Sequence, residues 1–65
     1  MRGRLAMRLR QLRKVKELTQ EDLARKAGVT LGYIARLETG RHDPKLSTLR
    51  KLAKALGVSV AELLE

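Results

Sequence analysis

The sequence predicts an all-α fold in which five short helices surround one compact core. Leu, Ile, Val and Ala recur at intervals of three and four residues along most of the 65 residues, which is the spacing of a helical inward face. Glycines, one proline and hydroxyl residues divide this pattern into short segments. A single tyrosine is the only aromatic residue, so small aliphatic side chains must fill the core, and they suit closely crossing helices.

The first predicted helix runs from about Arg4 to Lys16. Met7 is an alternative translation start to Met1, and in that case residues 1–6 would form a dispensable, flexible arm. Residues 1–65 have room for a single domain, because a chain this short supports only one core. The inward face of the helix is a stripe formed by Leu5, Leu9, Leu12 and, as a further candidate, Val15.

The second predicted helix, from about Gln20 to Ala27, has a start signal and a stop signal. Thr19 and Asp22, three residues later, form an Asp version of the capping box. Gly28 follows the last apolar position, where a helix ends in the left-handed conformation that glycine adopts without strain. The chain therefore makes a tight turn at Gly28.

The third predicted helix follows this turn directly and ends near Gly40, with Thr30 as its N-cap. Two helices joined by so short a turn cross steeply, which leaves room for little more than a methyl group at their closest approach, and Ala24 supplies it. The segment therefore has the geometry of a helix-turn-helix. Its second helix has an inward face formed by Ile34 and Leu37.

Two further helices complete the predicted fold. A turn containing Pro44 precedes the fourth helix, and Gly57 ends it. Ser59 and Glu62 form a second capping box, which opens a short fifth helix with Leu63 and Leu64. The apolar positions of the fourth helix recur at three- and four-residue spacing: Leu46, Leu49, Leu52, Ala53 and Leu56.

The charge of the chain points to a polyanion as its partner. The formal charge is +8, and seven basic residues precede Glu17, the first acidic residue. Two other interpretations remain, a solvated helix face and an anionic membrane surface. The leucine stripe beside these cations is narrow enough for a protein core to cover, which disfavours the membrane.

The composition also excludes several classes of function. Without cysteine there is no disulfide or thiolate metal site, and His42 alone cannot form a metal cluster, so we expect no metal and no cofactor. Ser47 and Ser59 have no neighbouring base, so we do not expect an enzyme. No apolar run approaches the roughly 18 residues of a membrane span or the core of a signal peptide, so we expect a cytoplasmic protein with no membrane contact.

Residues 19–38 carry a specific combination of small and apolar positions. Ala24, Gly28 and Ile34 stand at fixed spacing, and Leu23, Val29 and Leu37 occupy the remaining inward positions. In these residues, and over residues 8–64 as a whole, the chain resembles the phage repressor and Cro-type helix-turn-helix family, also called the xenobiotic-response-element (XRE) family. The resemblance implies a lambda-repressor-like DNA-binding domain of five helices.

The resemblance also implies which residues read DNA. The helix around residues 30–39 enters the major groove and places Leu31, Gly32 and Arg36 at base-contacting positions. Arg36 can form two hydrogen bonds to one guanine, although a surface ion pair is the alternative. Leu31 can touch a thymine methyl group, and Gly32 has no side chain to offer. Relatives usually place polar residues at one or both of these two positions. Because Leu31 and Gly32 offer few direct base contacts, DNA shape is expected to contribute to specificity.

Phosphate contacts are expected around the reading helix. Gln20 lies at the start of the second helix, where free amides and the helix dipole favour an anion. The Tyr33 hydroxyl can reach a phosphate, or its ring covers the edge of the core. Lys45 departs from the family, which usually has a small hydroxyl residue there as the N-cap of the fourth helix. Either Ser47 substitutes for it or the start of the helix frays. Further phosphate contacts are expected from Thr19, Thr30, Thr39, Arg41 and Lys45.

The resemblance further implies a structural ion pair between Arg13 and Glu38, which we expect to be largely buried and bidentate. The predicted function is a sequence-specific DNA-binding transcriptional regulator, a repressor that binds double-stranded DNA as a homodimer. A monomer that pairs only on DNA is an alternative, as is the antitoxin of a toxin-antitoxin pair, which also binds a protein partner. The candidate dimer contacts are Val58, Val60 and Leu64.

Overall fold

The fold consists of five α-helices. The computed structural model describes residues 2–65, with side chains from residue 3 onward, and Met1, one of the two candidate starts, lies outside them. The all-α prediction is confirmed. The helices are α1 (Arg2–Val15), α2 (Gln20–Ala27), α3 (Leu31–Glu38), α4 (Leu46–Leu56) and α5 (Val60–Leu63).

The predicted helix ends have the expected capping geometry. The Asp22 N–H donates to Thr19 Oγ1 over 3.0 Å, and the Thr19 N–H donates to Asp22 Oδ2 over 3.0 Å, which completes the capping box of α2. Ser59 and Glu62 form the same reciprocal pair at α5. Gly28 ends α2 with φ 72°, in the left-handed region. These local signals fix the ends of helices because they satisfy backbone groups that the helix itself cannot.

The first helix differs from its prediction at both ends. It begins at Arg2 and ends at Val15, and residues 2–6 are helical, with Leu5 and Ala6 buried. The inward placement of Val15 was wrong, since its side chain is 70% exposed. Val15 lies one helical turn after the exposed Gln11, on the outer side of α1, so a three-residue step from Leu12 does not bring it back to the core.

The fourth helix also differs at its start. Lys45 is the N-cap residue, and its side chain makes no capping hydrogen bond. Because α4 begins at Leu46, Ser47 lies inside the helix and does not replace Lys45 as its cap. Leu46 shares the apolar spacing of the fourth helix, but this first residue of α4 is 55% exposed. It lies before the turn of α4 that reaches the core.

The core is built from side chains of all five helices. Helix α3 packs against α1 and α2, while α4 packs against α2 and α5, and α1 also contacts α5. Burying each large aliphatic side chain contributes about 1.5 to 3 kcal/mol relative to leaving it exposed. The fully buried large side chains are Leu9, Leu23, Ile34, Leu37, Leu52, Leu56 and Leu63.

Helix α1 approaches the end of α3 at two glycines. Gly40 has φ 79°, and a Cβ built on it would lie 3.2 Å from the Gly3 Cα. Both the left-handed backbone and this close approach therefore favour glycine at position 40. Between Arg2 and Glu65, no helix has the length and apolar character needed to cross a membrane.

Candidate nucleic-acid interface

The α2 and α3 helices form a pair that presents one side of α3 to solvent. Ala24 is buried in the core, and its carbonyl accepts a 3.0 Å hydrogen bond from the Val29 N–H in the turn. Ile34 and Leu37 face the core. The three predicted base-contacting residues therefore share the exposed side of α3, and they are Leu31, Gly32 and Arg36.

A bidentate ion pair joins α1 to the end of α3. Arg13 Nε donates to Glu38 Oε2 over 2.8 Å, and Arg13 Nη2 donates to Glu38 Oε1 over 3.1 Å. The third nitrogen, Nη1, donates to the Leu18 carbonyl over 2.9 Å. Glu38 is only 7% exposed, and Arg13 neutralises its charge inside the protein. The carboxylate therefore would not repel an anion at the surface.

The same carboxylate also holds Gln20. The Gln20 Nε2 donates to Glu38 Oε1 over 3.1 Å, which leaves the second N–H and the amide oxygen of Gln20 available for another partner. This link between the start of α2 and the end of α3 has no signal in the sequence, because the two residues are 18 positions apart and meet only after the helices pack. The ion pair, its carbonyl contact and Gln20 form one network, which we call the Arg13–Glu38–Gln20 network.

Tyr33 lies between two other polar side chains. The Arg36 guanidinium carbon is 6.0 Å from the centroid of its ring, within cation–π range. On another side, the His42 ring meets Tyr33 edge to face, with centroids 5.4 Å apart and an interplanar angle of 89°. The sequence alone assigned His42 no role, and the eight residues between it and Tyr33 give no signal of this contact.

An open groove of about 450 Å³ lies beside Tyr33. It brings the start of α3 next to the start of α4, although Lys45 follows Thr30 by 15 positions in the chain. Lys45 is exposed there and contributes a positive charge. The groove is lined by Val29, Thr30, Tyr33, His42, Asp43, Lys45 and Thr48.

The threonine hydroxyls predicted to contact phosphate already have partners within the protein. Thr19 and Thr30 accept from the backbone of Asp22 and Tyr33 as N-caps, and each retains its hydroxyl proton. The Thr39 hydroxyl donates to the Arg36 carbonyl over 2.6 Å and accepts from the Arg41 N–H over 3.3 Å. The side chains of Arg41 and Lys45 are exposed, and the Lys45 side chain makes no capping hydrogen bond.

The basic residues of α1 are only partly directed outward. Arg4 Nε donates to the Glu65 carbonyl over 2.9 Å, and Arg8 Nε donates to the Glu62 carbonyl over 3.0 Å. These two cations hold the end of α5 against α1, where the negative end of the helix dipole favours positive charge. Together with Arg13, three residues of the N-terminal basic run therefore have partners inside the protein.

The family model described as helix-turn-helix, HTH_3, matches residues 9–63. The chain belongs to the HTH_3 helix-turn-helix family. The predicted resemblance is thereby confirmed. Among solved structures, the restriction-modification controller protein C.AhdI from Aeromonas hydrophila superimposes with a TM-score of 0.92 at 37% identity, covering 95% of this chain and 94% of that one. The predicted five-helix, lambda-repressor-like fold is confirmed by this likeness.

Two curated relatives of this HTH_3 chain are longer proteins. The immunity repressor protein of Bacillus phage phi105 is 41% identical over 59 residues, which cover 91% of this chain and 41% of the relative. The HTH-type transcriptional regulator DdrOP3 of Deinococcus deserti is 42% identical over 62 residues, which cover 95% of this chain and 48% of the relative. The chain thus spans less than half the length of these two relatives.

Proposed function

We propose that this HTH_3 chain is a sequence-specific DNA-binding transcriptional regulator that acts as a repressor, with α3 in the major groove. The observation that carries the proposal is the exposed side of α3, which the Arg13–Glu38–Gln20 network fixes relative to α1 and α2. Relatives named as an immunity repressor and as transcriptional regulators support it. A helix held at its end by buried, charge-assisted bonds can enter a groove without changing its orientation.

Base reading is assigned mainly to Arg36. Its guanidinium can donate to O6 and N7 of one guanine, which is worth about 1 to 3 kcal/mol of discrimination against another base. Leu31 is 46% exposed and suits a thymine methyl group. Gly32 has no atom within 4 Å of an added Cβ, so the backbone of α3 can approach the base edges closely there. The remaining specificity is assigned to DNA shape.

Phosphate binding is assigned to two regions beside α3. One is the start of α2, where Thr19 retains a hydroxyl proton and Gln20 retains an amide N–H. The other is the groove at the starts of α3 and α4, with the segment before it. These contacts position the reading helix and carry little sequence information. Candidates in the second region are Thr30, Tyr33, Thr39, Arg41 and Lys45.

The proposed active form is a homodimer. Val58 and Val60 are half-buried against the core, and Leu64 is 37% exposed, so an apolar edge near α5 is open to a second copy. Two copies related by twofold symmetry would read half-sites about 34 Å apart, one turn of DNA. Sedimentation of the chain with and without DNA tests this proposal. If Leu64→Glu forms dimers as well as the wild type does, this interface is rejected.

Selection of bound sequences from random duplexes tests the proposed function. The wild-type protein should enrich one half-site containing a guanine, and Arg36→Ala should remove that guanine preference while other positions stay enriched. Arg50→Ala is the matched control, since Arg50 is an exposed arginine on α4. Strong, salt-dependent binding with no enriched sequence would contradict the proposal and leave a nonspecific basic protein.

A further inference from the structure

Arg36 has few neighbours that can fix its conformation. On a helix, the side chains three and four positions earlier share the face of a given residue. Four positions before Arg36 is Gly32, which has no side chain, and three positions before it is Tyr33. The Tyr33 ring, 6.0 Å away, is therefore the neighbour on the preceding turn that can hold the guanidinium.

Tyr33 is in turn held on several sides. Its ring packs against the hydrophobic core, and its backbone N–H donates to Thr30 Oγ1 over 3.1 Å. His42, from the segment after α3, meets the ring edge to face at 5.4 Å. The ring therefore presents a fixed face to Arg36, and that face carries negative charge density that attracts a cation.

We propose that Tyr33 is a positioning residue for base reading: its ring, braced by His42, holds Arg36 in the orientation that meets guanine. This inference rests on the proposed function and adds a role in specificity to a residue otherwise assigned to phosphate. A free arginine loses the freedom of several rotatable bonds when it docks on a base. An arginine already held by an aromatic ring loses less conformational freedom. This gain in affinity is realised only at sites where Arg36 meets its guanine.

Two substitutions separate the ring from the hydroxyl. Tyr33→Phe keeps the aromatic face and removes the hydroxyl, whereas Tyr33→Leu keeps apolar volume and removes the face. In selection from random duplexes, Tyr33→Phe should keep the guanine preference set by Arg36, even if affinity for all sequences falls. Tyr33→Leu should reduce that preference about two- to five-fold, the strength of an exposed cation–π contact, and leave other positions unchanged. His42→Ala should reduce it by a smaller factor.

Either of two results with the single variants would overturn the positioning role. One is an unchanged guanine preference in Tyr33→Leu. The other is a loss in Tyr33→Phe equal to that in Tyr33→Leu, which would assign the effect to the hydroxyl. In the Arg36→Ala background, Tyr33→Leu should have no further effect at that base, because the ring acts through Arg36. A full, additive effect there would also count against the role.

A measurement without DNA keeps the two proposals separable. In the free protein, NMR should show the Arg36 side-chain protons shifted upfield by the ring in the wild type and in Tyr33→Phe, and unshifted in Tyr33→Leu. Amide spectra of the three proteins serve as the control for folding. If the wild type selects no sequence, the proposed function fails. If selection depends on Arg36 but not on the Tyr33 ring, only the positioning role fails.

Discussion

At the scale of single residues, Glu17 is the clearest departure from local preference. Among residues 2–65 it is the one non-glycine residue with a positive φ, 58°. Its N–H donates to the Lys14 carbonyl and the Leu18 N–H donates to the Arg13 carbonyl, both over 2.9 Å, which close the end of α1. Helices α2 and α4 have glycine where α1 has this left-handed residue. A side chain at such a position is strained by contact with its own backbone.

Replacement of Glu17 by glycine should stabilise the protein. Glycine adopts the left-handed conformation without strain, and we expect a gain of about 0.5 to 1 kcal/mol in the free energy of unfolding, measured in urea. Glu17→Ala is the control, because it removes the same carboxylate and keeps the Cβ. Equal stability of the glycine and alanine variants would mean that charge, not backbone strain, decides the outcome.

Single positions also mark how far local sequence reaches. Thr19, Gly28 and Thr30 have the capping roles that their neighbours in the chain predict, because those roles involve partners within a few residues. The bond of Gln20 to Glu38 and the contact of Tyr33 with His42 were not predicted. Their partners come from other segments and meet only in the folded protein.

At the scale of helices, the start of α4 lacks a side-chain cap. Lys45 has φ −69° and ψ 161°, the extended geometry of an N-cap, but a lysine side chain cannot accept the free N–H groups of the first turn. Its positive charge also lies at the positive end of the helix dipole. A DNA phosphate would reverse both disadvantages, which gives a physical reason for a lysine at this position.

Lys45→Ser should therefore separate stability from DNA binding. The serine hydroxyl supplies the missing acceptor, so we expect the free energy of unfolding to rise by about 0.5 to 1 kcal/mol. DNA affinity should fall for all sequences alike, with a shallower salt dependence, because one phosphate contact is lost. Lys45→Ala, which loses the charge and gains no cap, should bind DNA as weakly without the added stability. A serine variant with undiminished DNA affinity would remove Lys45 from the interface.

The two capping boxes make helix stability depend on pH. Hydrogen bonds from the Thr19 backbone and side chain lower the pKa of the Asp22 carboxyl, and those from Ser59 lower the pKa of the Glu62 carboxyl. Because the folded pKa lies below the unfolded one, each carboxylate stabilises the fold at pH values above its unfolded pKa. This contribution is lost as pH falls through the folded pKa.

Thermal unfolding at a series of pH values tests this dependence. The melting temperature of Asp22→Asn, which keeps an acceptor oxygen but no charge, should lie below that of the wild type near pH 6. The difference should shrink as pH falls below about 4, near the carboxyl's ordinary pKa. Glu21→Gln, in the same turn, is the control and should show a smaller pH-dependent difference. A constant difference across the range would contradict the assignment.

At the scale of the whole molecule, the Arg13–Glu38–Gln20 network connects three helices. It joins the end of α1, the start of α2 and the end of α3 through one buried carboxylate. Removing one member leaves an unpaired polar group in a water-poor site, which costs far more than the pair contributes by itself. The network therefore couples the stability of the fold to the orientation of α3.

Arg13→Ala should cost about 3 to 5 kcal/mol of unfolding free energy, most of the stability expected for so small a domain. Arg25→Ala is the control, because Arg25 forms an exposed pair with Asp22 at 3.7 Å and should cost about 1 kcal/mol or less. Arg13→Met combined with Glu38→Leu should recover part of the loss, since no buried charge remains. Urea denaturation that finds Arg13→Ala no worse than Arg25→Ala would contradict this view.

The sequence by itself determined the five helices, their caps and most of the core, because these depend on spacing and on contacts within a few residues. It did not place Val15 correctly and did not reveal that Leu46 is exposed, since a periodic apolar residue is buried only where another helix covers it. Only the tertiary structure decided the bond of Gln20 to Glu38 and the position of Tyr33 between Arg36 and His42. The bond of Gln20 to Glu38 and the contact of Tyr33 with His42 join different segments of the chain, so packing of the helices creates them, whereas Tyr33 and Arg36 are neighbours on α3.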